Sequence, residues 1–492
     1  MRRPESYLKL SYSLIALSGL ALLVYVVLKA KQASFTHDES FTYLDYVHQP
    51  FMDIISYKTP YTNNHILNTV LMKYAEELWG SSELVLRLPN ILACLLYLLY
   101  GFRLIRRLAP VMVLPAFLCL LCHMQLCDFF SLARGYGLSF AFMLMSLYHL
   151  IRYFEKPESR QLILFHAGSL LAILSNFSLI NVYLSALAAY NLICWYRSGL
   201  HASSPPYRFL RENRIHLWAL PVFVAILYEP IRRISKQGML DFGGKEGFLE
   251  NTFGSLISGA FYETPLGHPL FTVIKYSMLL LLVSSGLLIG WQMFRKNRHF
   301  FGEQIALCTA WLILMGIVVL SYLQHYLIRN DFYGGRFALF VYPLFMLNLL
   351  FLMDYAYRSR FRIFPALLVY SLALALVFNF SLNMNLRFYK DWKYDSGTKT
   401  AMAILAEDHA RQRPPGNMVS LGINWIFEPS TNFYRYTHDL SWLKKNHRKG
   451  AKPGEDYYYL FQSDTNAYLA KGKPQLFFLG GVNVFLAKNQ TE

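Results

Sequence analysis

Long apolar runs recur along the chain up to about position 382, and short polar segments separate them. A helix needs about 20 mostly apolar residues to cross the hydrocarbon core of a bilayer. Runs of that length predict an α-helical polytopic membrane protein with about 11 transmembrane helices. We place the spans near residues 10–30, 84–103, 109–127, 136–152, 161–176, 178–196, 215–234, 269–293, 304–324, 337–356 and 363–382.

Two features of this pattern allow a second interpretation. The runs 161–176 and 178–196 lie so close together that they form either two short helices or one long tilted helix. The first run has the position of a signal peptide, but it holds about 20 apolar residues and no small-residue cleavage site follows it. We therefore predict an uncleaved first span.

The distribution of basic residues predicts the orientation of the spans. If the N-terminus is cytoplasmic, about one position in three is Lys or Arg in the inner segments, against about one in eleven in the outer loops. Excess Lys and Arg marks cytoplasmic loops. We therefore expect the N-terminus inside and the C-terminus outside, with long outer loops at 31–83 and 235–268.

Beyond the last apolar run the pattern changes, because charged and apolar residues mix as they do in a folded soluble domain. This predicts a transmembrane domain over residues 1–382, whose first outer loop (31–83) holds the candidate chemistry. It also predicts a small extracytoplasmic α/β domain over residues 383–492. Within that domain we expect a helix at 401–410 and strands at 418–423, 457–461 and 484–487.

Composition supports the membrane assignment. Hydrophobic residues make up 55% of the 492 residues and charged residues only 16%, whereas soluble domains carry about 25% charged residues. This excludes a disordered chain, a disulfide scaffold and an ordinary cytosolic enzyme. The net charge of +17 does not indicate nucleic-acid binding, because no basic face on a soluble domain is evident. The six cysteines lie in or beside apolar runs and read as small buried hydrophobes.

The first outer loop carries the first candidate chemistry. Asp38 and Glu39 follow the first span by a few residues. Adjacent carboxylates close to a membrane face are costly unless they are solvated, paired or functional. An interfacial acidic turn or a helix cap is the structural alternative.

The same loop continues into an amphipathic helix. Apolar residues recur every three or four positions from Ile66 to Trp79, which predicts a helix on the membrane surface. This helix would present Asn64 and His65 at its start. A single histidine is more often a satisfied polar residue than a functional one, so that alternative stays open.

Basic residues on the outer face are unexpected under the charge rule, and several occur there. Headgroup anchoring explains any one of them, but together they suggest an anionic ligand. With the carboxylates they fit an enzyme that acts on a lipid phosphate, because a carboxylate can take a proton from a hydroxyl while arginines neutralise a phosphate leaving group. These residues, with the aromatic ones beside them, are Arg134, Tyr136, Arg232, Arg233, Tyr333 and Arg336.

Several segments resemble motifs of the GT-C superfamily of multi-span glycosyltransferases, in particular protein O-mannosyltransferases and bacterial lipid A aminoarabinose transferases. The similarity covers residues 10–382 in layout and about 60 residues in motif, with Arg87-Leu88-Pro89 as its most specific part. The matching segments are Asp38-Glu39, the stretch from Asn64-His65 to Arg87-Leu88-Pro89, Ala133-Arg134-Gly135-Tyr136, and Gly335-Arg336-Phe337 with Tyr342-Pro343.

The resemblance implies a sugar donor on a polyprenyl or dolichyl monophosphate, and direct displacement with inversion. It implies that Asp38 is the catalytic base, that Glu39 supports it, and that His65 lies near the acceptor or a metal. Some members use a divalent metal ion near the phosphate, so a metal is a possible cofactor. The residues implied to contact the phosphate are Arg134, Arg232 or Arg233, and Arg336.

The chain also departs from the family pattern. Ile66-Leu67 stands where members often have Pro-Pro, and Ser131-Leu132 stands where they often have Gln-Glu. If the missing glutamate contacts the sugar or a metal in those members, another residue must replace it here, and Asp128 is the candidate.

The leading interpretation is a glycosyltransferase that takes its sugar from a polyprenyl-phosphate donor. We expect it in a bacterial inner membrane, with a lipid, glycan or protein acceptor on the periplasmic or lumenal side, membrane lipids around it and no nucleic acid. A transporter or flippase of lipid-linked sugars is one rival, although transporters place charges near the bilayer midplane and show internal repeats. A polysaccharide polymerase or ligase is another, with residues 232–268 as a faint match to its large outer loop.

Overall fold

The computed structural model describes residues 3–198, 206–236, 243–359, 361–412 and 418–489. Two of the basic residues used to orient the spans, Arg2 and Arg360, lie outside the described residues. So do positions 237–242 of the second long outer loop and 490–492 at the end of the C-terminal domain.

Helices lie at each of the eleven positions predicted from the apolar runs, and further short helices connect them. The runs 161–176 and 178–196 form two separate helices, because the chain turns through a short 3-10 segment at Phe177–Leu179. The α-helices are α1 (Arg3–Gln32), α2 (His37–Thr42), α3 (Phe51–Ile55), α4 (Ile66–Trp79), α5 (Glu83–Ile105), α6 (Pro110–Leu121), α7 (Met124–Asp128), α8 (Tyr136–Glu155), α9 (Ser159–Ser175), α10 (Ile180–Ser198), α11 (Pro206–Lys236), α12 (Gly254–Phe261), α13 (His268–Phe294), α14 (Arg298–Glu303), α15 (Ile305–Ile328), α16 (Val341–Arg358), α17 (Ile363–Asn383), α18 (Thr398–Gln412) and α19 (Glu428–Thr437).

Among the described residues, eight helices are long and apolar enough to cross a bilayer. Two other apolar helices, α6 and α9, have only 12 and 17 residues. The polytopic helical fold is therefore confirmed, while the count of eleven spans stays a prediction. The centre of the bundle is α16, which is almost wholly buried and packs against α6, α13, α15 and α17.

The C-terminal domain is built on a four-stranded sheet of β3 (Leu421–Ile423), β4 (Tyr457–Phe461), β5 (Gln475–Leu479) and β6 (Val484–Lys488), in the order β3-β4-β6-β5. The first pair is parallel and the other two are antiparallel. Our sequence prediction missed β5 and α19. A separate two-stranded ribbon pairs β1 (Gly243–Gly244) with β2 (Phe332–Tyr333).

The C-terminal sheet domain shares a hydrophobic core with the first outer loop. Phe35 stacks on Phe433 of α19 with 4.1 Å between ring centroids, and Tyr43 meets the same ring edge-on. The backbone N–H of Phe35 donates to the hydroxyl of Tyr434 (2.7 Å). This packing fixes the segment that follows α1, which is where the candidate site begins.

Candidate active site

The two loop carboxylates lie on α2, a single helical turn that begins immediately after α1. Thr36 caps this turn: its hydroxyl accepts from the N–H of Glu39 (3.4 Å), and the Glu39 carboxylate accepts from the N–H of Thr36 (2.9 Å). This reciprocal capping box satisfies two backbone donors and fixes the start of the helix. Asp38 and Glu39 consequently point to different surroundings.

Glu39 is fully buried and pairs with Arg87, which is also fully buried. Arg87 donates to both carboxylate oxygens, at 2.8 and 2.7 Å, and also to the carbonyls of Ala30, Ala33 and Ser34 at the end of α1. The N–H of Ala133 donates to Glu39 as well (2.6 Å). Each carboxylate oxygen of Glu39 accepts two hydrogen bonds. The carboxylate therefore joins α1, α5 and the turn before α8.

Asp38 faces two guanidinium groups. Its Oδ2 lies 3.0 Å from Nη2 of Arg336 and 3.6 Å from Nη2 of Arg134. The guanidinium of Arg336 also lies 4.8 Å from the ring centroid of Trp392. Burial raises the pKa of Asp38, but the two arginines outweigh it and hold the pKa below its ordinary value. Asp38 is therefore ionised at neutral pH.

A cavity of about 330 Å³ opens beside these two arginines. Asp38 does not line the cavity itself, but both of its arginine partners do. Six residues singled out from the sequence lie in its wall, together with amides that the sequence did not indicate. The predicted residues are Asn64, His65, Arg134, Tyr136, Tyr333 and Arg336, and the added amides are Asn63, Asn176, Asn181, Gln324 and Asn330.

His65 presents an unused acceptor to this cavity. Its Nδ1 lies 2.7 Å from the carbonyl oxygen of Ser175 and must donate to it, because a carbonyl only accepts. Burial and the nearby Arg134 hold the pKa of His65 well below its ordinary value, so the ring is neutral and Nε2 carries a lone pair. This Nε2 is buried and has no partner among the described residues, and Nδ2 of Asn176 is a similarly unpartnered donor.

Gly135 makes this arrangement possible by allowing a close approach. A Cβ on Gly135 would lie 1.9 Å from the carbonyl oxygen of Ser175 and 2.8 Å from Cβ of His65. Any larger residue would push apart the His65–Ser175 hydrogen bond. The glycine between Arg134 and Tyr136 therefore serves the packing of the histidine against the end of α9.

An apolar groove between α9, α10 and α11 adjoins the polar cavity. The groove has a volume of about 480 Å³, and its wall is aliphatic and aromatic apart from Arg232 and Ser235. It shares Ile173, Ile180 and Ile231 with the polar cavity. A ligand with a charged head and a hydrocarbon tail fits this combination.

Comparison with known proteins adds to this geometry. Residues 66–210 match a family model described as dolichyl-phosphate-mannose-protein mannosyltransferase. The structure of ArnT from Cupriavidus metallidurans in the apo state aligns with a TM-score of 0.53 at 11% identity, over 96% of this chain and 98% of ArnT. The oligosaccharyltransferase of Archaeoglobus fulgidus aligns with a TM-score of 0.41 at 11% identity, over 95% of this chain and 73% of that protein. No curated protein matches the chain in sequence.

The chain has the GT-C fold. ArnT is a GT-C glycosyltransferase, and it aligns over nearly the whole of both chains, which confirms the resemblance seen in the sequence motifs. The likeness to ArnT shows the fold, and the family model matches the part of the chain from residue 66 to residue 210.

Some GT-C enzymes use a divalent metal, but the residues around Asp38 do not fit one. Its Oδ2 lies within 3.6 Å of two guanidinium groups, which would repel a cation. Across the described ranges, no three His, Cys, Asp or Glu side chains lie together as a ligand set.

Two groups of candidate residues lie away from the polar cavity. Arg232 and Arg233 both pair with Glu229 of their own helix and do not line that cavity. The sequence pattern identified these charges, but it could not give the direction in which α11 turns the side chains.

Asp128 does not replace the missing glutamate of the family pattern. It is buried between Lys29 (2.6 Å) and the hydroxyl of Tyr262 (2.6 Å), so both of its oxygens are occupied away from the cavity. Tyr434 of the C-terminal domain is fully buried, and its hydroxyl bonds to Phe35 and Glu83. Trp392 was missed as a site residue because no local signal connects it to Arg336, against which its ring packs.

Proposed function

We propose that this protein transfers a sugar from a polyprenyl-phosphate donor to an acceptor hydroxyl. The observation that carries the proposal is the junction of two cavities. A polar cavity with two guanidinium groups adjoins an apolar groove, and only an amphipathic ligand can fill both. A sugar phosphate on a long isoprenoid chain has this shape and polarity.

In this proposal Arg134 and Arg336 bind the donor phosphate. Arginine presents a planar fork of donors that matches phosphate oxygens. Arg134 is held in place by Thr42 and the carbonyl of Asn63, both at 3.1 Å from its Nη1, while its Nε has no partner among the described residues. Nε of Arg336 is also unpartnered there. These free donors are where phosphate oxygens would add.

Asp38 acts as the general base, with inversion at the anomeric carbon. The acceptor oxygen forms a bond to that carbon, the bond from the carbon to the phosphate oxygen breaks, and the acceptor proton passes to Asp38. The lipid phosphate leaves with the bonding electron pair, and the two arginines stabilise its growing charge. A phosphate bound to the arginines would also weaken their hold on Asp38, which raises its basicity when the donor is present.

The remaining residues receive roles from their positions. Glu39 supports Asp38 indirectly, because its pair with Arg87 fixes α2. His65 offers Nε2 as an acceptor for a substrate hydroxyl, and Tyr136 and Tyr333 shape the cavity. We assign the chemistry to residues 1–382, and residues 383–492 contribute Trp392, whose ring packs against the guanidinium of Arg336.

Two further parts of the proposal concern the acceptor and the side of the membrane. The matching family description names a dolichyl-phosphate sugar and a protein acceptor, and we carry over the lipid-phosphate class while leaving lipid, glycan and protein acceptors open. The charge pattern favours a cytoplasmic N-terminus and a site on the opposite side, which we propose is the periplasmic side of a bacterial inner membrane.

The decisive experiment uses purified protein in liposomes with labelled polyprenyl-phosphate sugars. We expect free polyprenyl phosphate to be released in step with sugar appearing on the acceptor. Movement of intact donor across the bilayer without cleavage would support the flippase alternative and contradict the proposal.

A further inference from the structure

A second polar cavity lies at the end of the helix bundle opposite the candidate active site. Its volume is about 300 Å³, and we call it the basic pocket, defined by Arg103, Arg106, Arg152 and Arg160. Helix α5 carries Arg87 of the site near one end and Arg103 near the other. The helical rise puts these residues about 24 Å apart along α5.

The basic pocket has an unbalanced positive charge. No carboxylate lines it, and within the described part of the chain Arg103, Arg106 and Arg160 have no ion-pair partner. Only Arg152 is paired, with Glu155 at 2.8 Å. Three helix ends, those of α5, α8 and α9, bring the four guanidinium groups together although like charges repel.

The neighbouring cavity at the same end shows that this imbalance is not a general property of the face. That cavity has about 360 Å³ and contains Arg107 and Arg358. Both are neutralised, Arg107 by Glu155 at 2.5 Å and Arg358 by Asp354 at 2.7 Å. An ordinary excess of basic residues at a membrane surface does not explain why one pocket is balanced and the other is not.

The walls of the basic pocket are also held in place. The guanidinium of Arg103 lies over the rings of Tyr100 and Tyr148, at 5.4 and 5.7 Å. His149 donates from Nδ1 to Gln161 (2.7 Å), which ties α8 to α9 across the pocket. Arg103 is therefore fixed before a ligand arrives, so it loses little conformational entropy when it binds one.

We propose that the basic pocket binds a phosphate-bearing anion, and that the phosphate of an anionic phospholipid headgroup supplies it. Arginine forks match phosphate oxygens, and the pocket lies where helices that span the bundle end. Leu164 in its wall gives the apolar border that an acyl chain requires. A free phosphorylated solute would have the same headgroup chemistry without the acyl chains.

The test compares lipid retention by three full-length proteins. The pocket variant is Arg103→Gln/Arg106→Gln/Arg160→Gln, and the control variant Arg295→Gln/Lys296→Gln/Arg298→Gln removes the same charge from a segment that lines neither cavity. Each is purified from membranes containing phosphatidylglycerol and phosphatidylcholine, and the bound lipid is identified by native mass spectrometry. We expect the wild type and the control to keep phosphatidylglycerol and the pocket variant to keep about tenfold less.

A second arm adds inorganic phosphate to the lipid-free proteins and follows thermal unfolding. Stabilisation of the wild type and the control at millimolar phosphate, without preference for phosphatidylglycerol, would assign the site to a free phosphorylated solute. Equal lipid loss from the pocket and control variants, or no preference for either ligand in the wild type, would overturn the proposal. If the pocket variant does not fold, the Arg103→Lys/Arg106→Lys/Arg160→Lys variant replaces it. Lysine keeps the charge without the fork, so retention equal to the wild type would also overturn the proposal.

Discussion

The buried pair between Arg87 and Glu39 gives the sharpest stability prediction. Replacing Arg87 with Met removes two charged hydrogen bonds to Glu39 and three to the carbonyls at the end of α1. It also leaves the Glu39 carboxylate fully buried without its counter-ion. Breaking a buried pair on one side costs about 3–5 kcal/mol, so we expect Arg87→Met to lose stability in that range.

The double variant Arg87→Met/Glu39→Met separates the charge effect from packing. It should recover a large part of the loss, because no charge remains buried alone. Recovery stays incomplete, since the N–H groups of Thr36 and Ala133 lose their acceptor. Arg411→Met is the control, because both members of the Arg411–Glu407 pair are exposed, so its loss should cost about 0–1 kcal/mol.

The measurement is equilibrium unfolding of the detergent-solubilised proteins, followed by tryptophan fluorescence. An Arg87→Met variant within about 1 kcal/mol of the wild type would refute the structural role of the pair. The role would also be refuted if the double variant lost more free energy of unfolding than the two single variants lose together. Either result would also remove our reason for regarding Glu39 as a positioning residue.

Three further changes test the site and its supports. Arg336→Lys keeps the charge but loses the planar guanidinium fork, so donor turnover should fall by about tenfold or more. Arg329→Lys is the control: it lies on the same loop but outside the cavity wall, and it should leave turnover unchanged. His65→Ala should lower turnover without changing the shape of the pH profile of turnover between pH 5 and 8, because this histidine stays neutral in that range. If the variant lost a rise or fall that the wild-type profile shows in this range, His65 would not be neutral there. Burial raises the pKa of Asp395 to about 7. The protonated side chain therefore contributes its full stability below about pH 4, and this contribution is lost as the pH rises through 7. The free energy of unfolding should fall by up to about 4 kcal/mol over this range. Thermal unfolding of Asp395→Asn between pH 5 and 8 should show a flatter dependence than the wild type, and an unchanged slope would show that another group is responsible.

The features that hydropathy and charge sign determine were predictable from the sequence. Apolar length located the helices, and the unusual acidic pair with outer-face arginines pointed to Asp38, Arg134 and Arg336, which the fold brings together. These signals are local, or depend only on which end of a helix a residue occupies. They work because the bilayer forces both length and charge placement.

The features that depend on the direction of a side chain were not predictable in this way. Arg232 lies on the expected face but turns toward Glu229. Arg87 was visible as part of a motif, yet its partner Glu39 is 48 positions away and only tertiary packing brings them together. Trp392 meets Arg336 because the C-terminal domain folds back on the first outer loop, and no periodicity in the sequence indicates that contact.

The most direct test of the account is the Asp38→Asn variant in the transfer assay, with donor binding measured in parallel. Asparagine keeps the shape of the side chain and removes its basicity. We predict that transfer falls by about 10²–10⁴-fold while the protein stays folded and still binds polyprenyl phosphate. Full transfer by Asp38→Asn would contradict the central claim that this carboxylate takes the acceptor proton.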